Sequence, residues 1–310
     1  MADNKSKFSL KGSKENLSIA ILTKVFLIAF AVGTVLRCIQ MAKFIDPETG
    51  FFTGGDAFNM LLYAVLGIAV LIFCAVSFFS ADCKRAEIGG LGDSKAARAT
   101  RFMAFGFIID SIASFISGVY SFVSATTAYT DIMKSGILPM MLESFFALFS
   151  AVYFFILASD FSKGTEKAYK RKILATAPVC WAGARLIYRF LRQISFIEVS
   201  DLFLELVMIA FMVMFFMALA QVASGVYKDT VKWRLTGFGL SAGLIAAILS
   251  VSRLVMSVIE IVMNADFTVS GHSGSFADLL FAIFVVSLAV KIKDDASRPV
   301  SFAECEEKAE

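Results

Sequence analysis

The chain has 310 residues, 58% of them hydrophobic, with 33 phenylalanines and only 18% charged side chains, and its mean hydropathy is +0.76. One soluble core of this size cannot hide so much apolar surface, so the composition excludes a soluble globular protein and points to an integral membrane protein. The formal net charge of +3 is small and calls for no nucleic-acid partner, because basic loops facing anionic lipid account for it.

Apolar runs long enough to cross about 30 Å of hydrocarbon recur along the sequence, and in lipid they must be helices so that every backbone group is satisfied. The fold expected is therefore all-α, with eight transmembrane helices arranged as four tandem helical hairpins. Residues 1–17 form a polar arm bearing Lys5, Lys7, Lys11 and Lys14, too poor in apolar residues to fold alone, and the expectation there is disorder. The first span covers 18–42; it is too long for the apolar core of a secretory signal peptide and has no small-residue cleavage site, so it reads as a retained helix. Asp46, Pro47, Gly50 and the pair Gly54-Gly55 mark a turn-rich connector, and Phe51 and Phe52 within it suit a loop that dips into the interface.

The second span covers 57–80. The link after it carries Gly89, Gly90 and Gly92 before Lys95, which lacks the GxxxxGK[ST] spacing and the preceding strand of a phosphate-binding loop and reads as a connector. In the third span, 102–124, Asp110, Ser114, Ser117 and Ser121 share one face. Serines in such a stripe bond their own backbone or let helices approach closely, whereas an acid inside a span needs a partner or water and is a functional candidate. The fourth span, 137–160, contains Glu143, with Pro139 in its first turn, where a missing N–H does no harm.

A fifth run, 173–193, places Arg185, Arg189 and Arg192 at i, i+4 and i+7. The sixth, ending at 221, places Glu198, Asp201 and Glu205 at i, i+3 and i+7. Each set lies on one helix face, and a short connection folds the two runs back on each other, bringing a cationic stripe beside an anionic one. The arginine spacing is too irregular and too brief for a voltage-sensing helix. Span seven, 235–262, has Gly239, Gly243 and Ala247 four apart, a spacing that admits a close neighbour, and carries Arg253 and Glu260 on one face. The eighth span covers 275–291, and an acidic tail, 292–310, ends the chain. Thus 18–291 is one membrane domain between two polar ends.

Basic residues set the expected orientation. The arm, the links holding Lys84 to Arg101, Lys163 to Lys172 and Lys228 to Arg234, and the tail are rich in Lys and Arg, while the alternate loops hold only Lys43, Lys134 and Arg192. By the positive-inside rule both termini are cytoplasmic. On that topology Arg37, Glu143, Arg185, Arg189, Glu205, Arg253 and Glu260 lie at one depth, most of them about 5 to 15 Å from the outer face at 1.5 Å per residue. A charge in hydrocarbon costs at least about 2.5 to 3.5 kcal/mol. These groups are therefore expected to face one another or a wet cavity that opens outward.

Familiar chemistries are hard to place. The single histidine, His272, sits in a loop, which removes HExxH metalloprotease and histidine-ligated haem sites; Cys38, Cys74, Cys83, Cys180 and Cys305 form no CxxC pair, and no serine has a GxSxG setting. The expectation is no cofactor, no metal and no recognisable catalytic motif, and lipid-directed catalysis ranks below two other readings. In the first, Arg37, Arg185, Arg189 and Arg253, with Glu143, Glu205, Glu260 and Asp110, line a cavity for an anionic solute or lipid headgroup, and the protein is a transporter or transport accessory; guanidinium forks suit carboxylate or phosphate. In the second, the same charges are a structural ion-pair network in a non-catalytic subunit, regulator or sensor that binds another membrane protein or a second copy of itself. The compact loops suit a plasma membrane, a bacterial cytoplasmic membrane in particular.

Overall fold

In the computed structural model the backbone is described for residues 3–44, 54, 56–80, 94–124, 137–163, 171–191, 199–224, 229–263 and 276–296; the side chains described begin at Ala20 and omit those of 56, 94, 124, 191, 199–201, 229–232, 260, 263 and 292–296. Among the described residues the structure is helical, with no strand. The helices are α1 (Asp3–Lys43), α2 (Asp56–Phe79), α3 (Ser94–Ser124), α4 (Ile137–Lys163), α5 (Ala177–Leu191), α6 (Val199–Ala223), α7 (Asp229–Met263) and α8 (Phe276–Ala296), with a 3-10 turn at Leu174–Thr176 leading into α5. Helical backbone in α1 reaches back into the basic arm of residues 1–17.

Each expected apolar run is a helix, for the reason given by lipid: a chain that cannot bond to solvent must bond to itself. Several buried hydroxyls follow the same rule, although those of Thr34, Ser77 and Ser80 find no partner among the described residues. Thr100, Ser150 and Ser241 each donate to the carbonyl four residues back, at 2.7, 2.7 and 2.8 Å, so they add no unsatisfied group to the interior. Six helices, α1 to α4, α6 and α7, are long and apolar enough to cross a membrane. The exceptions have plain causes. Helix α5 has 15 residues, about 22 Å, and the apolar part of α8 stops at Val290, before Lys291 and Lys293.

Successive helices pack as hairpins, α1 on α2, α3 on α4, α5 on α6 and α7 on α8. Helix α7 is the axis of the bundle and touches α1, α2, α6 and α8, while α8 bridges α7 to α3. Glycines make these approaches possible. A Cβ on Gly237 would lie 3.5 Å from the Cys74 Cα of α2, and one on Gly239 only 2.9 Å from the Phe215 ring of α6. The close neighbour expected at Gly239 and Gly243 is thus present, with Val285 of α8 against both. Large apolar side chains cover the outside, among them Leu27, Leu71, Phe79, Phe105, Ile116 and Phe145, as they do on a surface that meets acyl chains.

Candidate functional site

Arg185 is the centre of the polar interior. Trp181, Arg185 and Arg189 recur every fourth residue and share one face of α5. That face is turned into the bundle, where Trp181 is fully buried and Arg185 is 1% exposed. The Arg185 Nη1 and Nη2 donate to Asp278 Oδ1 and Oδ2 at 2.6 and 2.8 Å, a bidentate pairing of the strongest kind. Asp278 stands in the first turn of α8, so the acid is held by a helix end that welcomes negative charge.

Two more acids approach the same guanidinium. Glu143 of α4 is 3.9 Å from Arg185 Nε, and Glu205 of α6 is 3.7 Å from Nη2. Glu205 is shared, because Arg189 Nη2 also reaches its Oε1 at 2.9 Å. A fourth acid, Asp110 of α3, accepts the indole N–H of Trp181 at 3.0 Å, and the Arg185 guanidinium carbon lies 5.4 Å from the Trp181 ring centroid, within cation–π range. Five helices thus meet at one cluster: α3, α4, α5, α6 and α8.

Register between α3 and α4 is set beside it. Ser111 and Ser144, each the next residue after a cluster acid, donate to one another's carbonyl oxygens at 2.8 Å, with their hydroxyls 3.2 Å apart. This differs from the serine stripe expected on α3, where Ser117 is exposed; the interhelical bond is made one residue away from the acid, not along the stripe. On the other side the cluster rests on a buried aromatic layer. Phe107 meets the Trp181 ring edge-on at 4.8 Å between centroids, and Phe154 links Phe107 to Phe284.

Of the residues singled out from sequence, Asp110, Glu143, Arg185, Arg189 and Glu205 come together. Arg37 and Arg253 form a second group at α1 and α7. Both are buried and their charges act on each other; Arg37 also donates to Gln40, which donates to Asn59 of α2. The Glu260 side chain, Arg192, Glu198, His272, Cys83 and Cys305 lie outside the described residues, as does the side chain of Asp201. Cys38 and Cys74 are half-buried, Cys180 is exposed, and all three are free thiols.

Asp278 and Trp181 belong to the site without having been singled out for it. Asp278 was visible only as an acid at the mouth of a span, and Trp181 only through its four-residue step to Arg185. Among the described residues no group of three His, Cys, Asp or Glu side chains is placed to hold a metal ion. Compared with known proteins, the chain matches no family model, no curated protein and no solved structure.

Proposed function

We propose that this is a polytopic membrane protein whose Arg185 cluster is an internal ion-pair hub, and that it works as a non-catalytic membrane subunit, regulator or sensor. The observation that carries this reading is the Arg185–Asp278 pair. Both terminal nitrogens of Arg185 are committed to one carboxylate of the protein itself, so an incoming anion would have to displace it in a dry interior, where charge pairing is strong. The hub joins helices from three of the four hairpins and holds them in one register.

The chain crosses the bilayer eight times in this proposal, α5 and α8 being short spans buried among longer ones. Both termini face the cytoplasm, a placement supported by the Lys and Arg distribution between alternate loops, and the membrane is a plasma membrane, bacterial in its compact loops. Labelling of single cysteines introduced at Lys134 and Lys167 tests the topology. An impermeant maleimide should reach Lys134→Cys from outside and Lys167→Cys only after permeabilisation; the reverse pattern inverts the protein.

A transport reading has its own support in the second group. Arg37 and Arg253 bring two buried guanidiniums from α1 and α7 within range of each other, a combination suited to a carboxylate, phosphate or lipid headgroup. One experiment separates the readings: thermal unfolding of the purified protein against a panel of anions, amino acids and phospholipids, with Arg185→Gln and Arg37→Gln beside the wild type. The hub reading expects no stabilisation that depends on Arg185. A ligand that raises Tm in the wild type and loses its effect in Arg185→Gln sinks the hub, while loss in Arg37→Gln alone establishes the anion site.

A further inference from the structure

Among the described residues the Arg185 cluster contains more acids than bases. Arg185 and Arg189 face Asp110, Glu143, Glu205 and Asp278, and all four acids are under a tenth exposed. Asp278 takes both Arg185 nitrogens, and Glu205 takes Arg189 at 2.9 Å. With those two pairs closed, Asp110 and Glu143 bring two further carboxyl groups into the same buried region. Asp110 is held by the Trp181 indole N–H.

Glu143 differs from the other three. Its side chain is 7% exposed, its one ion contact is Arg185 Nε at 3.9 Å, beyond hydrogen-bond length, and among the described residues it makes no hydrogen bond. It is also held close to another acid. The reciprocal Ser111–Ser144 bonds pin α3 to α4 at the residues next to Asp110 and Glu143, and the charges of these two acids act on each other. Around Glu143 stand Asp110 from α3, Arg185 and Arg189 from α5, Glu205 from α6 through the shared guanidinium, and Asp278 from α8.

Two buried carboxylates at one level repel, and an ionised one without donors is costly. The ligand that relieves both terms must be cationic and must fit a packed interior. A proton does so without needing volume. We infer that Glu143, set beside Asp110 by the serine lock, is a proton-binding site of this protein. The proton resides on the Glu143 carboxyl while Arg185 stays on Asp278. If the guanidinium turns from Asp278 towards Glu143, it supplies the positive charge there and the Glu143 proton passes to the Asp278 carboxylate it has left, so the position of the proton reports the state of the hub. This goes beyond the hub reading and holds whether the protein regulates a partner or moves a solute.

Infrared difference spectra of the full chain in lipid nanodiscs test the site. At neutral pH the wild type should show the C=O stretch of a protonated carboxylic acid that shifts in deuterated water and disappears as the pH is raised. Glu143→Gln should abolish this band, and Glu205→Gln should retain it. Absence of any protonated carboxyl band in the folded wild type overturns the inference, and so does a band that persists unchanged in Glu143→Gln. Should Glu143→Gln fail to fold, Glu143→Asp serves in its place: withdrawing the carboxyl by one methylene must move the band, and an unmoved band assigns the proton to another acid and overturns the inference.

Discussion

The Arg185 cluster predicts an asymmetry between its two ends. Removing one member of a buried ion pair typically costs about 3 to 5 kcal/mol, because the other charge is left behind. In Asp278→Asn the stranded charge is Arg185, but Glu205 and Glu143 already lie 3.7 and 3.9 Å from it and need move little to take it up; the expected loss is about 3 kcal/mol, the low end of the range. In Arg185→Gln the stranded charge is Asp278, and the other cation of the cluster, Arg189, is already bonded to Glu205; the expected loss is about 5 kcal/mol. The double variant removes the mismatch, so its cost should fall below the sum by about 2 to 3 kcal/mol of coupling. Reversible unfolding in mixed micelles, followed by far-UV circular dichroism, gives all four values. Two results refute the reasoning. Single variants within about 1 kcal/mol of the wild type would mean that water reaches the pair, and a greater cost for Asp278→Asn than for Arg185→Gln would mean that the cluster lacks negative charge.

The same unfolding assay checks four smaller changes. Trp181→Phe keeps an aromatic ring against Phe107 but takes the N–H from Asp110, and should cost about 1 to 3 kcal/mol. Ser144→Ala removes the hydroxyl that donates to Ser111 and meets its Oγ, with an expected loss of about 0.6 to 1.7 kcal/mol, the range for interhelical bonds in membranes. Gly239→Ala puts a Cβ 2.9 Å from the Phe215 ring and 3.2 Å from Val285, and should cost about 1 to 3 kcal/mol in overpacking. Gly183→Ala meets nothing within 4 Å and should instead stabilise α5 by up to about 1 kcal/mol.

Helix existence was legible because lipid leaves the backbone no other choice, whereas helix ends were not. Span three was expected to begin at 102, where the charges stop, yet α3 starts at Ser94. Ala96, Ala97, Ala99 and Thr100 are buried there, while Arg101 is exposed; alanine favours the helix irrespective of the membrane boundary, and hydropathy alone cannot see a helix that continues into packed protein. The site divides in a similar way. Four-residue steps placed Arg185 and Arg189 on one face and identified Asp110, Glu143 and Glu205 as buried acids, since those facts are local to each helix. Which acid satisfies Arg185 is not local. Asp278 lies 93 residues away, and only the seating of α8 between α7 and α3 brings it near. One layer of charges was expected from depth, but depth says nothing about position around the bundle, and the charges fall into two groups.

That division bears on what can move. Helix α8 is tied at its first turn by Asp278 to Arg185, in its middle by Phe281 and Phe284 to Phe215 and Phe154, and near its other end by Lys291, whose ammonium sits 3.9 Å from the centre of the Phe161 ring of α4. Sliding α8 along its axis would break all three ties together, and the interdigitated rings leave no intermediate position. Helices α1 and α2 have a different footing. They pack against each other and against α7, α1 also touches α8, and Tyr63 of α2 meets Phe203 of α6 edge-on at 5.8 Å between ring centroids, but neither helix supplies a residue to the Arg185 cluster. Gly33 of α1 allows the close approach of Ile248 of α7, a contact of apolar atoms that has no directional bond to break. The seam between the α1–α2 hairpin and α7, which holds Arg37 and Arg253, is therefore separate from the ion pairs of the Arg185 cluster, and a rearrangement there leaves the Arg185–Asp278 and Arg189–Glu205 bonds unbroken.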